Sequence, residues 1–432
     1  MNIKDEITLL FNSELTKKSV KVLLIRIIGI AFFFGLTLLI TNTYSLYLVG
    51  RYDFSRSFLL LFGTISVLGM NQSIIFYSGY LKSIKALEEL KFIYLKMLSI
   101  IFIISILLSL IIFSFKNILL DDFFNKNVGV LIKKSITCVL FYSVTILNIE
   151  TYRAINKIYI SELVRNFFRY ILFLFMVILL SFYKKEEYLI DAFLINFVII
   201  GCLSTAFILY RFRKNSTTKK GLFNHKQIIR RSAPMSISLV TLVLMQSVDV
   251  ILLSKYTSFE DVAAYAVTVK LTIIITLALT SVNTVFAPKM AELYSLESFK
   301  KLEREIIKAT RLITLLTIPV IIVMFLFSGF ILEMFGKDYL IAKKALYILL
   351  VGQTVNALCG AVGVYMNMTN KQNILQIFLI LAFIVNLILN LLLIPKFGIE
   401  GAAIATTISM ILWNVLGSLY IYKKDKIKTF LN

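Results

Sequence analysis

From residue 22 onward the chain alternates long apolar blocks with short polar stretches. Each block runs to about 20 residues, the length of helix that crosses the hydrocarbon core of a bilayer. Strand-like period-2 alternation is absent and proline is scarce. In lipid, backbone groups find hydrogen-bond partners only within their own segment, so the blocks predict helices. About twelve spans result by the apolar-run rule. They start near Val22, Ser57, Ile93, Val128, Leu163, Leu189, Ser232, Asp261, Thr310, Ile341, Ile374 and Ala402. The polar stretch before the first, "MNIKDEITLLFNSELTKKSVK", leads into a span with no small-residue cleavage site at its far end. That span is expected to be retained rather than cut as a signal peptide. Ile3, Ile7, Leu10 and Phe11 fall on one face of the stretch and predict a short helix on the membrane surface.

Composition narrows the class to an all-α integral membrane protein. The 432 residues are 59% hydrophobic and 16% charged, with a mean hydropathy of +0.87. A net charge of +22 raises the question of a nucleic-acid partner, and the placement of the charge answers it. Of 46 Lys and Arg, 31 fall on alternate connections beginning with the N-terminus, 13 on the other side, and Arg26 and Lys270 lie inside spans. This is the positive-inside bias, which places both termini in the cytoplasm and the basic loops beside anionic membrane lipids; no nucleic acid is needed. The stretch "KMAELYSLESFKKLEREIIKATR" alternates charge with Leu296, Phe299, Leu302 and Ile306 at helical spacing, and predicts an amphipathic helix on the cytoplasmic surface.

Candidate chemistry is thin. Cys138, Cys202 and Cys359 all lie in expected spans without metal or redox spacing. His225 is the lone histidine, and no G-x-x-x-x-G-K-[ST] phosphate loop occurs. No outward-facing connection is long enough to house a glycan polymerase. Neither a cofactor nor an enzymatic role is expected.

Two halves are expected, 1–210 and 232–432, joined by a basic cytoplasmic linker, 211–231. Short echoes link them: "LVGRY" at 48–52 with "LLSKY" at 252–256, and "AINK" at 154–157 with "MTNK" at 368–371. Such a parallel repeat predicts two six-helix lobes around a central cavity.

Ionisable and amide groups inside spans are the candidate site residues, because charge at depth is costly and tends to be functional. Lys270 stands some 13 Å below the outer surface at about 1.5 Å per residue. It is a candidate either for holding an anionic cargo or for a structural ion pair. Arg26 lies about one turn into the first span, where it either snorkels to the cytoplasmic headgroups or contacts cargo. Asp249 reads as the only acid within the apolar stretches, at a depth similar to Lys270, and the two are expected to pair. Asn386 and Asn390 share a helix face and serve either interhelical bonding or a polar lining for a sugar path. Glu150 and Arg153 end the fourth span at the cytoplasmic face, where Glu162 and Arg165 read as a solvated i, i+3 pair. In "IPKFGIEGAA", Pro395 is expected to end a helix, with Gly398 and Gly401 allowing a tight return.

The run "NLLLIPKFGIEGAAIAT" at 390–406 resembles a signature of bacterial polysaccharide flippases, within the multidrug/oligosaccharidyl-lipid/polysaccharide exporter superfamily. "APMSISLVTLVLMQSVDVILLSKYTSFEDVAAYAVTVKL", with Asp249 and Tyr265, "FAPKMAELY" and "GVYMNMTNKQ" also resemble that family. The resemblance covers the C-terminal half; the N-terminal half agrees in span count and in "GMNQSIIFYSGYLK". It implies alternating access in the bacterial inner membrane, with an undecaprenyl-diphosphate-linked glycan as cargo, flipped from the inner to the outer leaflet. It also implies a coupling cation, H+ or Na+, and other glycan-assembly membrane proteins as partners. A cation-coupled multidrug exporter, a peptidoglycan-precursor flippase and a membrane glycan polymerase remain the alternatives.

Overall fold

A computed structural model describes residues 14–114, 126–213 and 222–430. The expected surface helix of Ile3 to Phe11 and residues 214–221 of the basic linker lie outside the described residues. All regular structure within them is helical. The chain divides into two units, one of 1–44 and 59–236, the other of 45–58 and 237–432. A short N-terminal piece, 45–58, thus belongs to the second unit, and the division in the middle of the chain falls between 236 and 237.

The first unit holds α1 (Glu14–Thr43), the end of α2 (Leu46–Val67), α3 (Met70–Ser83), α4 (Leu90–Ser114) and α5 (Lys126–Ala154). It continues through α6 (Ile158–Leu163), a π-turn at Val164–Phe168, α7 (Arg169–Phe182), α8 (Leu189–Arg213) and the start of α9 (His225–Tyr256). The second unit holds the start of α2, the rest of α9, α10 (Phe259–Ser295), α11 (Phe299–Leu326) and α12 (Ser328–Glu333). It ends with α13 (Lys343–Cys359), α14 (Val362–Met368) and α15 (Gln372–Asp425).

Ten helical stretches among the described residues are long and apolar enough to cross a membrane, and the bent pair of 337–359 with 362–368 makes eleven. The 54-residue α15 is two arms that meet at Gly398, whose φ of 52° and ψ of −128° break the helix. Each arm is about 39 Å long at 1.5 Å per residue, enough for one crossing. Counting both arms gives the twelve spans expected.

Several hydroxyls within the helices are satisfied locally. Thr37, Thr64, Ser143 and Thr241 each donate to the carbonyl four residues earlier, which keeps hydroxyls from competing for partners in an apolar setting. Large apolar side chains such as Phe175, Leu315 and Val285 stand exposed. On a water-soluble protein such a surface drives aggregation; on a membrane protein it faces lipid.

Several sequence expectations change. All four prolines lie inside helices, at Pro234, Pro288, Pro319 and Pro395. Pro395 does not end its helix; the break comes three residues later, at Gly398. At Gly401 the returning chain packs so closely that a Cβ would overlap the Leu393 carbonyl. The second span opens at Leu46, not near Ser57, so "LVGRY" lies in the first turns of α2. The amphipathic stretch is no separate surface helix: it is the end of α10 and the start of α11, with Leu302 and Ile306 buried and Leu296 and Phe299 exposed. The echo of "AINK" with "MTNK" is structural, since Asn156 and Asn370 both take the left-handed conformation, at φ 61° and 59°.

Candidate functional site

In the second unit, Lys270 on α10 meets Asp53 on α2. The ammonium lies 2.6 Å from one carboxylate oxygen and 2.9 Å from the other. The two side chains are 3% and 1% exposed. Close approach of the helices is set by Gly50, one turn before Asp53, where a Cβ would overlap the Phe259 carbonyl. The Tyr52 ring lies 5.7 Å from the ammonium. An ion pair sealed this well lets a cation sit at membrane depth, but one partner removed would strand the other.

Asp249 does not pair with Lys270. Tyr265 faces it instead, donating to a carboxylate oxygen at 2.8 Å. Lys270 comes five residues after Tyr265, a rotation of about 140° at 3.6 residues per turn, which puts it on another face of α10. The remaining partners of Asp249 come from both arms of α15. Asn390 donates at 2.6 Å and the Thr406 hydroxyl donates to the oxygen that Tyr265 also binds. Asn390 donates further to Asn386 at 3.1 Å, and Asn386 to Ser409 at 3.3 Å. Asp249, Asn386 and Asn390 are thus one buried network, in which the donors to the carboxylate, Tyr265, Asn390 and Thr406, are neutral. The Asn390 carbonyl oxygen is buried without a donor. A carboxylate, amide carbonyls and hydroxyls are hard oxygen donors, the kind that suit a proton or an alkali cation.

In the first unit, Arg26 on α1 neither reaches past its helix end alone nor stands free. Its Nε and Nη2 bind the two oxygens of Glu162 at 3.1 and 2.9 Å. Asn166 of the π-turn donates to the same carboxylate at 2.9 Å and packs where a Cβ on Gly29 would overlap it. Glu162 is therefore buried, not solvated, and its partner is not Arg165. The wider winding at Val164–Phe168 takes Arg165 out of α-helical register with Glu162. Arg165 binds Glu150 instead, which also accepts from Arg153 at 2.9 Å. Both acids are sheltered, while Arg26 and Arg153 are 44% and 41% exposed.

Sequence reasoning missed Asp53, Glu162 as a buried group, and Thr406. Asp53 carried a signal: Val49, Asp53, Phe54, Ser57, Phe58 and Leu61 follow helical spacing and all are buried. The flanking Arg51 and Arg56 made the segment read as a connection. Thr406 carried no signal beyond its place in the signature run.

Residues 15–294 match the family described as "Polysaccharide biosynthesis protein", and residues 234–392 match the MatE family. The chain is 28% identical over 181 residues to the probable low-salt glycan biosynthesis flippase Agl15 of Haloferax volcanii, covering 42% of this chain and 38% of that protein. It is 33% identical over 156 residues to the capsular polysaccharide biosynthesis protein CapF of Staphylococcus aureus, covering 33% of this chain and 36% of that one. The chain thus matches less than half the length of these curated relatives. Its fold is similar to that of the lipid II flippase MurJ in an inward closed conformation, with a TM-score of 0.72 at 17% identity over 93% of this chain and 87% of that one.

Proposed function

The chain belongs to the polysaccharide biosynthesis protein family, and from that membership we propose that it is a transporter, not an enzyme, which flips a lipid-linked glycan. The cargo is an undecaprenyl-diphosphate-linked oligosaccharide, an O-antigen or capsular repeat unit. It moves from the inner to the outer leaflet of a bacterial inner membrane by alternating access. The observation that carries this reading is the Lys270–Asp53 pair, a cation kept at membrane depth by a single carboxylate. A diphosphate stays anionic at every step, and it is the part of such a cargo that gains from a cation there. The diphosphate competes with Asp53 for Lys270; Arg26, in the first unit, is a separate candidate cation toward the cytoplasmic side. The relatives named as glycan flippase and capsule biosynthesis protein support the cargo class.

The Asp249 network supports cation coupling. Its buried charge is met by neutral donors alone, so a proton or Na+ arriving there would relieve it. That same network is what favours the second reading, a cation-coupled multidrug exporter, which the MatE match also supports.

Deleting the gene separates the two readings. Lipid-linked glycan should accumulate on the cytoplasmic side with drug tolerance unchanged. Wild type supplied in trans should clear the accumulation and Asp249→Asn should not. Unchanged glycan with lowered drug tolerance would transfer the assignment to the exporter. The orientation has its own check. A cysteine replacing Lys184 should react with an impermeant thiol reagent in intact cells, while one replacing Lys423 should stay shielded. The opposite pattern overturns the cytoplasmic placement of the termini.

A further inference from the structure

The segment after the last helix folds back into the second unit. Helix α15 stops at Asp425, Lys426 takes the left-handed conformation at φ 59°, and the chain reverses along the arm it has just left. Ile427 and Thr429 are buried there. Thr429 donates to Ser418, eleven residues back, at 3.2 Å, and the Phe430 ring packs 6.3 Å from that of Tyr422. Segments that follow a last helix ordinarily fray; this one is inserted.

Its key contact is with Thr310 on α11. Neighbouring threonines on that helix satisfy themselves: Thr314 donates to the Thr310 carbonyl at 2.9 Å and Thr317 to the Ile313 carbonyl at 2.7 Å. The Thr310 hydroxyl instead donates across to the Thr429 carbonyl at 2.7 Å. The same Thr310 side chain abuts Gly360, where a Cβ would overlap its Oγ1. Gly360, at φ 73° and ψ −136°, is the break in the span bent by 42° between α13 and α14. One side chain therefore touches both the inserted segment and the hinge.

The far side of the hinge is gripped by the same arm of α15. A Cβ on Gly417 would overlap Val362, the first residue of α14. Tyr365 of α14 donates to Asp425 at 2.8 Å. Lys371, at the end of the turn after α14, lies 2.9 Å from Asp425 between the rings of Tyr294 and Tyr365, at 5.0 and 5.3 Å. Asp425 is the residue from which the inserted segment departs.

We propose that residues 426–430 are a strap that locks the bend at Gly360, and that the transport cycle passes through a state in which strap and bend release together. The release step rests on the transporter reading above; the coupling of strap to bend does not. The device is two-state because its contacts are shared: Thr310 holds the strap only while it lies against the bent backbone at Gly360. Coupling between two elements is reciprocal, so loosening either one must loosen the other.

The test is amide hydrogen exchange on the full-length protein in lipid nanodiscs, with no cargo. Thr310→Val keeps the shape and removes the bond to Thr429; Ile427→Asp expels the strap independently should the first variant be poorly folded. Each should speed exchange in 362–371 and in 427–430 together, on the order of tenfold, with 343–356 unchanged. Gly360→Ala, altered only at the hinge, should speed exchange in the strap by a similar factor. Faster exchange confined to the strap in the first two variants, or a strap unaffected by Gly360→Ala, overturns the proposal. The transporter reading fails separately, if deletion of the gene leaves lipid-linked glycan unchanged. If Thr310→Val loosens both segments yet exports glycan at the wild-type rate, strap and bend are coupled but release does not limit the cycle, and the release step is rejected.

Discussion

Arg26 and Lys270 both carry positive charge into apolar helices, and their surroundings differ. Lys270 and its partner Asp53 are both sealed from solvent. Arg26 stands half exposed over a buried acid, and Arg153 and Arg165 stand similarly over Glu150. In the first arrangement each charge is the other's buried counter-ion, so losing either member strands the other. In the second, each acid is held by two donors, Glu162 by Arg26 and Asn166, and Glu150 by Arg153 and Arg165. Loss of one donor leaves the acid partly satisfied and the arginine in contact with headgroups or water. The lesson is that burial of the acid alone does not fix the worth of a pair; burial of both members does.

The largest effect should come from breaking the sealed pair. Lys270→Met leaves a carboxylate buried without a cation, and Asp53→Asn leaves an ammonium buried without an anion. Each should cost about 3–5 kcal/mol, seen as a large fall in the thermal midpoint of the detergent-solubilised protein. The exchange Asp53→Lys with Lys270→Asp should recover much of that stability, since the charges still meet. It should not recover glycan export, because the cation moves from α10 to α2. Single variants as stable as wild type would show that the pair is not sealed in the membrane. Full export by the exchanged protein would remove any position-specific role for Lys270.

The same contrast explains what was legible in the sequence. Span number and helical class could be read because apolar length is a local property. The candidates Lys270, Arg26, Asp249, Asn386 and Asn390 could be nominated because polar groups in apolar runs stand out. Their partners could not be assigned. Asp53 sits among arginines in a stretch that looks like a connection, and only its place in a helical line of buried residues marks it. The expected Asp249–Lys270 pair rested on depth alone; rotation around α10 decides it, and Tyr265 holds the face that Asp249 meets. Glu162 and Arg165 looked like a three-residue helical pair until the π-turn shifted their register. Asn386 and Asn390 were correctly placed on one face, yet nothing local tied that face to Asp249. Depth and periodicity are written in one segment at a time, whereas pairing depends on how segments meet.

The smallest effect should come from Arg153→Ala. The bond it removes joins residues three apart near the end of α5, at 2.9 Å, with the arginine half exposed. Glu150 retains Arg165, so no acid is left unpaired, and the freed volume opens to the helix surface rather than to a cavity. Exposed pairs of this kind contribute about 0.2–1 kcal/mol, a shift in thermal midpoint of a few degrees at most, and smaller still in high salt because the arginine is screened. Arg165→Ala should cost more than Arg153→Ala, since Arg165 alone ties Glu150 to the segment beyond the turn at Asn156. If Arg153→Ala instead destabilises the protein as much as Lys270→Met, and salt makes no difference, then Glu150 depends on Arg153 in a sealed environment. The distinction between a buttressed, half-exposed network and a sealed pair would then be lost.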